Sequence, residues 1–150
     1  MKKAALALII LGCLAGLSYG RDGDAGLGII LGEPTGFSGK LWTGKTTAFD
    51  AGAAWSFVNG GTFFQVHGDF LFHNFNVFQV DKGQLALYYG FGGRVKFADE
   101  TLVSVRVPLG LSYQFEKTSI ELFLEVAPML DVVPATEVGV AGGAGFRFYF

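Results

Sequence analysis

The sequence predicts an all-β fold: an eight-stranded antiparallel up-and-down transmembrane β-barrel with a polar, side-chain-filled lumen. Three observations predict it. Apolar and polar residues alternate over segments of roughly ten residues, which sorts side chains onto two strand faces. Turn-forming residues separate these segments at regular intervals. The 23 glycines and 16 phenylalanines, in a chain that is 51% hydrophobic, suit pleated sheet and disfavour helix.

Before the first strand lies a targeting segment. Met1-Lys2-Lys3 is basic, Ala4 to Leu17 is apolar, and Ser18-Tyr19-Gly20 offers small residues for a signal peptidase. Residues 1–20 therefore read as a signal peptide and 21–150 as the barrel. The apolar run falls short of the about 20 residues a spanning helix needs. A lipid-modified Cys13, preceded by Ile10-Leu11-Gly12, is the other reading of this segment. Cleavage after Gly20 leaves 130 residues with 9 basic and 13 acidic side chains and no cysteine, which excludes thiol chemistry. A dispersed acidic balance also excludes a nucleic-acid partner, which would require a basic stripe.

The strands follow in order. Leu27, Ile29 and Leu31 alternate with glycines up to the turn Glu33-Pro34-Thr35. Gly36 to Trp42 opposes Phe37 and Leu41 to Ser38, Lys40 and Trp42. Thr47 to Phe57 turns Phe49, Ala51, Ala53 and Trp55 one way and Asp50, Gly52, Ala54 and Ser56 the other, and Asn59-Gly60-Gly61 is a hairpin signal. In Thr62 to His73, Phe64, Val66, Phe70 and Phe72 oppose Gln65, His67, Asp69 and His73. Asn74 to Gly83 is the longest connection. Gln84 to Ala98 sets Leu85, Leu87, Tyr89, Phe91, Val95 and Phe97 against Ala86, Tyr88, Arg94 and Lys96.

The sixth strand opposes Val103, Val105, Val107, Leu109 and Leu111 to Ser104, Arg106, Pro108, Gly110 and Ser112. The seventh opposes Ile120, Leu122, Leu124 and Val126 to Glu121, Phe123, Glu125 and Ala127. Pro108 and Pro128 interrupt these two strands, where each either bends the strand or ends regular pairing. Asp131 to Thr136 reads as a loop. The last strand, from Glu137, places Val138, Val140, Ala144, Phe146, Phe148 and Phe150 on one face and Glu137, Arg147 and Tyr149 on the other.

One face is continuously apolar. The other gathers Lys40, Asp50, Asp69, Arg94, Lys96, Arg106, Glu121, Glu125, Glu137 and Arg147, five bases and five acids. Burying them unpaired would be prohibitive, so they read as a lumen network of ion pairs. Arg106 reads as the partner of Glu121, with Arg94, Lys96 or Arg147 as the other candidates. Eight strands enclose just enough space for side chains to fill, which is why glycine and alanine crowd the inward positions. Alternation does not say which face is inside, so a soluble ligand-binding barrel with the apolar face inward is the competing architecture.

The ending Phe146-Arg-Phe-Tyr-Phe150 resembles the C-terminal assembly signal of bacterial outer-membrane barrels, carried by Phe146, Phe148 and Phe150. Together with Gly26-Leu-Gly-Ile-Ile-Leu-Gly-Glu-Pro-Thr-Gly36, His67-Gly-Asp-Phe-Leu-Phe-His73, Tyr89-Gly-Phe-Gly-Gly-Arg94, Val105-Arg-Val-Pro-Leu-Gly110 and Glu125-Val-Ala-Pro128, it makes the chain resemble a family of small outer-membrane β-barrels. These occur in spirochaetes and other Gram-negative bacteria and are similar to the membrane domain of OmpA. The resemblance implies an outer-membrane location, lipid and the barrel assembly machinery as partners, and a monomer. It says little about activity.

Candidate chemistry is sparse. His67 and Asp69 share a face as an acid–base pair would, with Asp50 and His73 as neighbours, but no His-x-Ser segment accompanies them. Two histidines with a carboxylate are a generic metal pattern, and Gly90-x-Gly92-Gly93 lies within a strand instead of opening a helix. No catalytic, cofactor or metal residue is assigned. With an even strand count both ends of the barrel chain share one side, which puts Glu33–Thr35, Val58–Gly61, Ala98–Thr101 and Asp131–Thr136 outside. The expectation is a non-catalytic outer-membrane protein with a structural or surface-interaction role and no open pore. The alternatives are an adhesin that binds an extracellular macromolecule through these loops, and a lipid-modifying enzyme.

Overall fold

A computed structural model describes residues 25–56 and 62–150. The expected signal segment, Phe57 and the Asn59-Gly60-Gly61 turn lie outside the described residues. The described residues form nine strands: β1 (Ala25–Glu33), β2 (Thr35–Trp42), β3 (Thr47–Ser56), β4 (Phe63–Asn74), β5 (Gln84–Phe97), β6 (Thr101–Arg106), β7 (Leu109–Gln114), β8 (Ile120–Val133) and β9 (Glu137–Tyr149). All pairings are antiparallel, each stave bonds to the next in sequence, and β9 returns to β1 to close the ring. Phe150 adds a last bond, donating its N–H to the Ala25 carbonyl at 2.9 Å.

Nine strands make eight staves because β6 and β7 are two halves of one. Both pair with β5 on one side and β8 on the other. The break is covalent in origin: Gly90 N–H reaches Pro108 O at 3.0 Å and Val107 N–H reaches Pro128 O at 3.0 Å, but neither proline has an N–H to return. Pro108 thus interrupts the ladder as anticipated. Pro128 stays within β8. The facing alternation runs through the gap undisturbed, with Val107 outward and Pro108 buried.

The alternation also fixes which face is inside. Val138, Val140, Phe37 and Phe91 are 86%, 69%, 61% and 61% exposed, while Arg147, Glu121 and Asp69 are 1%, 0% and 1% exposed. The charged face is the lumen and the apolar face is the outer wall, the reverse of a soluble ligand-binding barrel. Inside, Leu71, Tyr88 and Phe123 form an apolar plug with Ile30 against it. Glycine makes room for that plug: a Cβ at Gly145 would lie 2.6 Å from Phe123 Cζ. The described turns at the far end from the chain termini are short, a single residue between β1 and β2 and three between β5 and β6 and between β8 and β9. The longest connection, 75–83, lies at the other end and closes on Gly83 at φ +73°, a backbone state that favours glycine.

Candidate functional site

The lumen charges arrange in three levels, set by strand register. The first lies toward the chain termini. Register places Glu121 of β8 directly opposite Arg147 of β9 and Lys40 of β2 opposite Asp50 of β3. The Arg147 guanidinium, 1% exposed, donates to Glu121 Oε1 at 2.7 Å, to Asp50 Oδ2 at 2.9 Å and to Ser38 Oγ at 2.9 Å, and its Cζ lies 3.9 Å over the Phe123 ring. Lys40 Nζ reaches both Glu121 oxygens, at 3.2 and 3.3 Å, and bonds His73 Nε2 at 2.8 Å. Tyr149 also donates to Glu121. Charge-assisted bonds of this kind are the strong ones, and here they saturate the carboxylate.

The second level is different. Register sets Asp50 opposite Asp69, two like charges, and His67 opposite Gly52. His67 Nε2 is 3.9 Å from Asp50 Oδ1 and 4.0 Å from Asp69 Oδ2, too long for hydrogen bonds. Arg106 bridges onward, with Nε 3.0 Å from Asp69 Oδ2 and Nη2 2.6 Å from Glu125 Oε1, and Tyr88 Oη donates to Glu125 Oε2 at 2.8 Å. Among the described residues, Asp50 Oδ1, both Asp69 oxygens, His67 Nδ1 and Arg106 Nε have no hydrogen-bond partner of good geometry.

The third level sits below the short turns. Arg94 donates to Asp131 Oδ1 at 2.8 Å, to Ser104 Oγ at 2.8 Å and to Gln65 Oε1 at 3.4 Å, and Ser104 also donates to Asp131. A mouth of about 250 Å³ lies above it, lined by Glu33, Gln65, Arg94 and Lys96 among others, and a cavity of about 20 Å³ beside His67, Gln65 and Arg106 lies below. The smaller space holds about one water.

Of the ten charges the sequence assigns to the lumen, the structure brings eight into buried ion pairs. Lys96 instead sets its ammonium 3.8 Å over the Phe63 ring, and Glu137 is exposed at the start of β9. Glu137 opposes Asp131 in register, so no base faces it there. Two further sequence expectations need correction. Arg106 does not serve Glu121: it pairs with Asp69 and Glu125, because β6 meets β8 at Met129, well along the strand from Glu121. Asp131 is not a loop residue, because β8 runs on to Val133 and turns Asp131 inward against Arg94. The histidines also separate, His73 to the first level and His67 to the second. Phe148 and Phe150 lie edge to face at 5.8 Å on the outer wall.

No protein-family model matches the chain, and no curated protein matches it in sequence. Its fold is similar to solved barrels. The N-terminal β-barrel domain of Pseudomonas aeruginosa OprF superposes with a TM-score of 0.59 over 87% of this chain and 100% of that domain, at 11% identity. Neisserial surface protein A superposes at 0.46 over 84% of this chain and 93% of that one, at 14% identity. The first likeness establishes a small closed barrel of the same architecture.

Proposed function

We propose that this protein is an outer-membrane β-barrel that acts without catalysis and without an open pore, as a structural or surface-interaction component of that membrane. One observation carries the reading: hydrophobicity is inverted, with buried, ion-paired charges inside and large apolar side chains covering the outside. In water so extensive an apolar surface would drive association, whereas lipid solvates it, and a closed ring leaves no unpaired strand edge in the bilayer. Strands β3, β4, β5, β8 and β9, of 10 to 14 residues, reach the about 9–11 that a tilted strand needs to cross. Lipid and the assembly machinery are then its partners, and it works as a monomer.

The filled lumen supports a closed barrel, and the buried histidines support the absence of catalysis. His67 and His73 face the interior, away from the lipid boundary, and the hydroxyls of Ser38 and Ser104 bond Arg147, Arg94 and Asp131, not an imidazole. Short described turns favour a structural role over a large adhesive surface. The test is fractionation of the native membrane with electrophoresis of boiled and unboiled samples, followed by planar-bilayer recording. The expected result is a heat-modifiable band in the outer-membrane fraction and no large, stable channels. A soluble protein, or steady porin-like conductance, would overturn the reading.

A further inference from the structure

We propose that Asp50, His67 and Asp69 form a binding site for one divalent transition-metal cation of the zinc type in the middle of the lumen. The donors come from two neighbouring strands whose register makes Asp50 face Asp69 and puts His67 one inward step along β4. The carboxylates are 2% and 1% exposed, and the donor atoms of the three residues all lie within 4.8 Å of one another. Of the atoms nearest His67 Nε2, Asp50 Oδ1 at 3.9 Å has no hydrogen bond among the described residues, and Asp69 Oδ2 at 4.0 Å has the Arg106 Nε ion-pair contact at 3.0 Å without a well-aligned hydrogen bond. Buried carboxylate oxygens without donors are rare unless something else satisfies them. Spacings too long for hydrogen bonds and too short for separate solvation suit donors arranged around a small cation. Bonds of about 2.0–2.2 Å would draw the imidazole and each carboxylate together by roughly half an ångström.

The surroundings fit a cation. Arg147 holds Asp50 through the other oxygen, Oδ2, which leaves Oδ1 free to bind. Arg106 Nε lies 3.0 Å from Asp69 Oδ2 and so shares that oxygen, while its Nη2 is held by Glu125. Among the described residues the ion pairs around Arg106 are acidic in balance, since Asp69 and Glu125 share that one guanidinium, while Asp50 and Glu121 are matched by Lys40 and Arg147. Two carboxylates and one imidazole make a three-residue donor set of the kind that zinc takes with a fourth position left open. Calcium needs six to eight oxygens, which this interior does not offer. The cavity beside His67 and the mouth above it share Pro34, Gln65 and Ala141, which marks the route of entry.

Gly52 is the positioning residue. Because His67 Nδ1 has no partner, the ring is placed by packing alone, directly across Gly52, where a Cβ would stand 2.4 Å from His67 Cε1 and 2.9 Å from Nε2. Adding a methyl group there moves the imidazole and leaves all three donors in the chain.

The test is titration of the metal-stripped, folded full chain in detergent with Co²⁺, followed by displacement with Zn²⁺. The expected result is a one-to-one visible d–d absorption that Zn²⁺ abolishes. It should be lost in His67→Gln, kept in His73→Gln, which alters the chain's other histidine, and weakened by about 10–100-fold in Gly52→Ala. Heat-modifiable mobility identifies the variants that fold. Should His67→Gln fail to fold, the unaltered protein decides by nitrogen NMR of its two imidazoles, of which Zn²⁺ should shift only one. No Co²⁺ spectrum in the unaltered protein, a spectrum that survives His67→Gln, or a Zn²⁺ response in both imidazoles or neither would overturn the site.

Discussion

The first and second levels of the lumen lie side by side on the same strands, yet among the described residues the first leaves one buried polar atom without a hydrogen bond, His73 Nδ1, and the second leaves five. Around Glu121 every close neighbour is complementary: Lys40, Arg147 and Tyr149 all direct donors at one carboxylate. Around Asp69 the cross-strand neighbour is a second aspartate, the imidazole stands off at 4.0 Å, and five polar atoms of the level lack hydrogen bonds. The difference lies in register. Opposite charges face each other at Glu121–Arg147 and like charges at Asp50–Asp69, and facing pairs are the unit of sheet energetics. The first level therefore clamps the barrel, while the second is held in place by its neighbours.

The comparison breaks most readily at Glu121. Glu121→Gln should destabilise the barrel by about 3–5 kcal/mol, because it leaves buried cations uncompensated. Urea unfolding from lipid vesicles measures this, and adding Lys40→Met to the same chain should be milder than Glu121→Gln alone. Arg106→Met combined with Glu121→Gln should instead add, since the two residues share no partner. Coupling between those two would show that the levels are not separate.

A smaller effect isolates the face from the level. Val126 neighbours Glu125 in sequence but is exposed on the outer wall midway along β8, so Val126→Lys should cost about 2–4 kcal/mol in the bilayer. No second lumen substitution should rescue it. Tolerance of lysine there would remove the lipid from the account of the outer face.

The smallest expected change is at Asp69. Asp69→Asn relieves the repulsion with Asp50 while Arg106 keeps Glu125, so the same unfolding assay, with the metal removed, should show a loss of about 1 kcal/mol or less. A loss as large as that at Glu121 would mean the second level also clamps the barrel.

Residue parity made much of this legible in the sequence. It assigns Glu121, Phe123 and Glu125 inward and Leu122, Leu124 and Val126 outward, and the structure keeps that assignment through both prolines. What parity does not carry is height. Whether Arg106 meets Glu121 or Glu125 depends on the stagger between β6 and β8, which is a property of the closed ring and has no local signal. Asp131 was readable in principle, since it continues the odd-numbered inward series from Glu121. The sequence Asp131-Val-Val-Pro134 instead suggests a turn, and the strand runs past it. Lys96 and Glu137 show the converse: an inward parity near a rim does not guarantee a partner.

The paired prolines have a mechanical consequence. A closed ring shares any radial strain among its seams in proportion to their stiffness, and both seams of one stave are softened where Pro108 and Pro128 return no N–H. Deformation concentrates there, on the stave that roots Arg106, while the opposite wall, tied through Arg147 to Asp50 and Ser38, stays rigid. The barrel is thus built with unequal stiffness around its ring: radial strain would reach the Arg106 guanidinium before the ion pairs of the opposite wall.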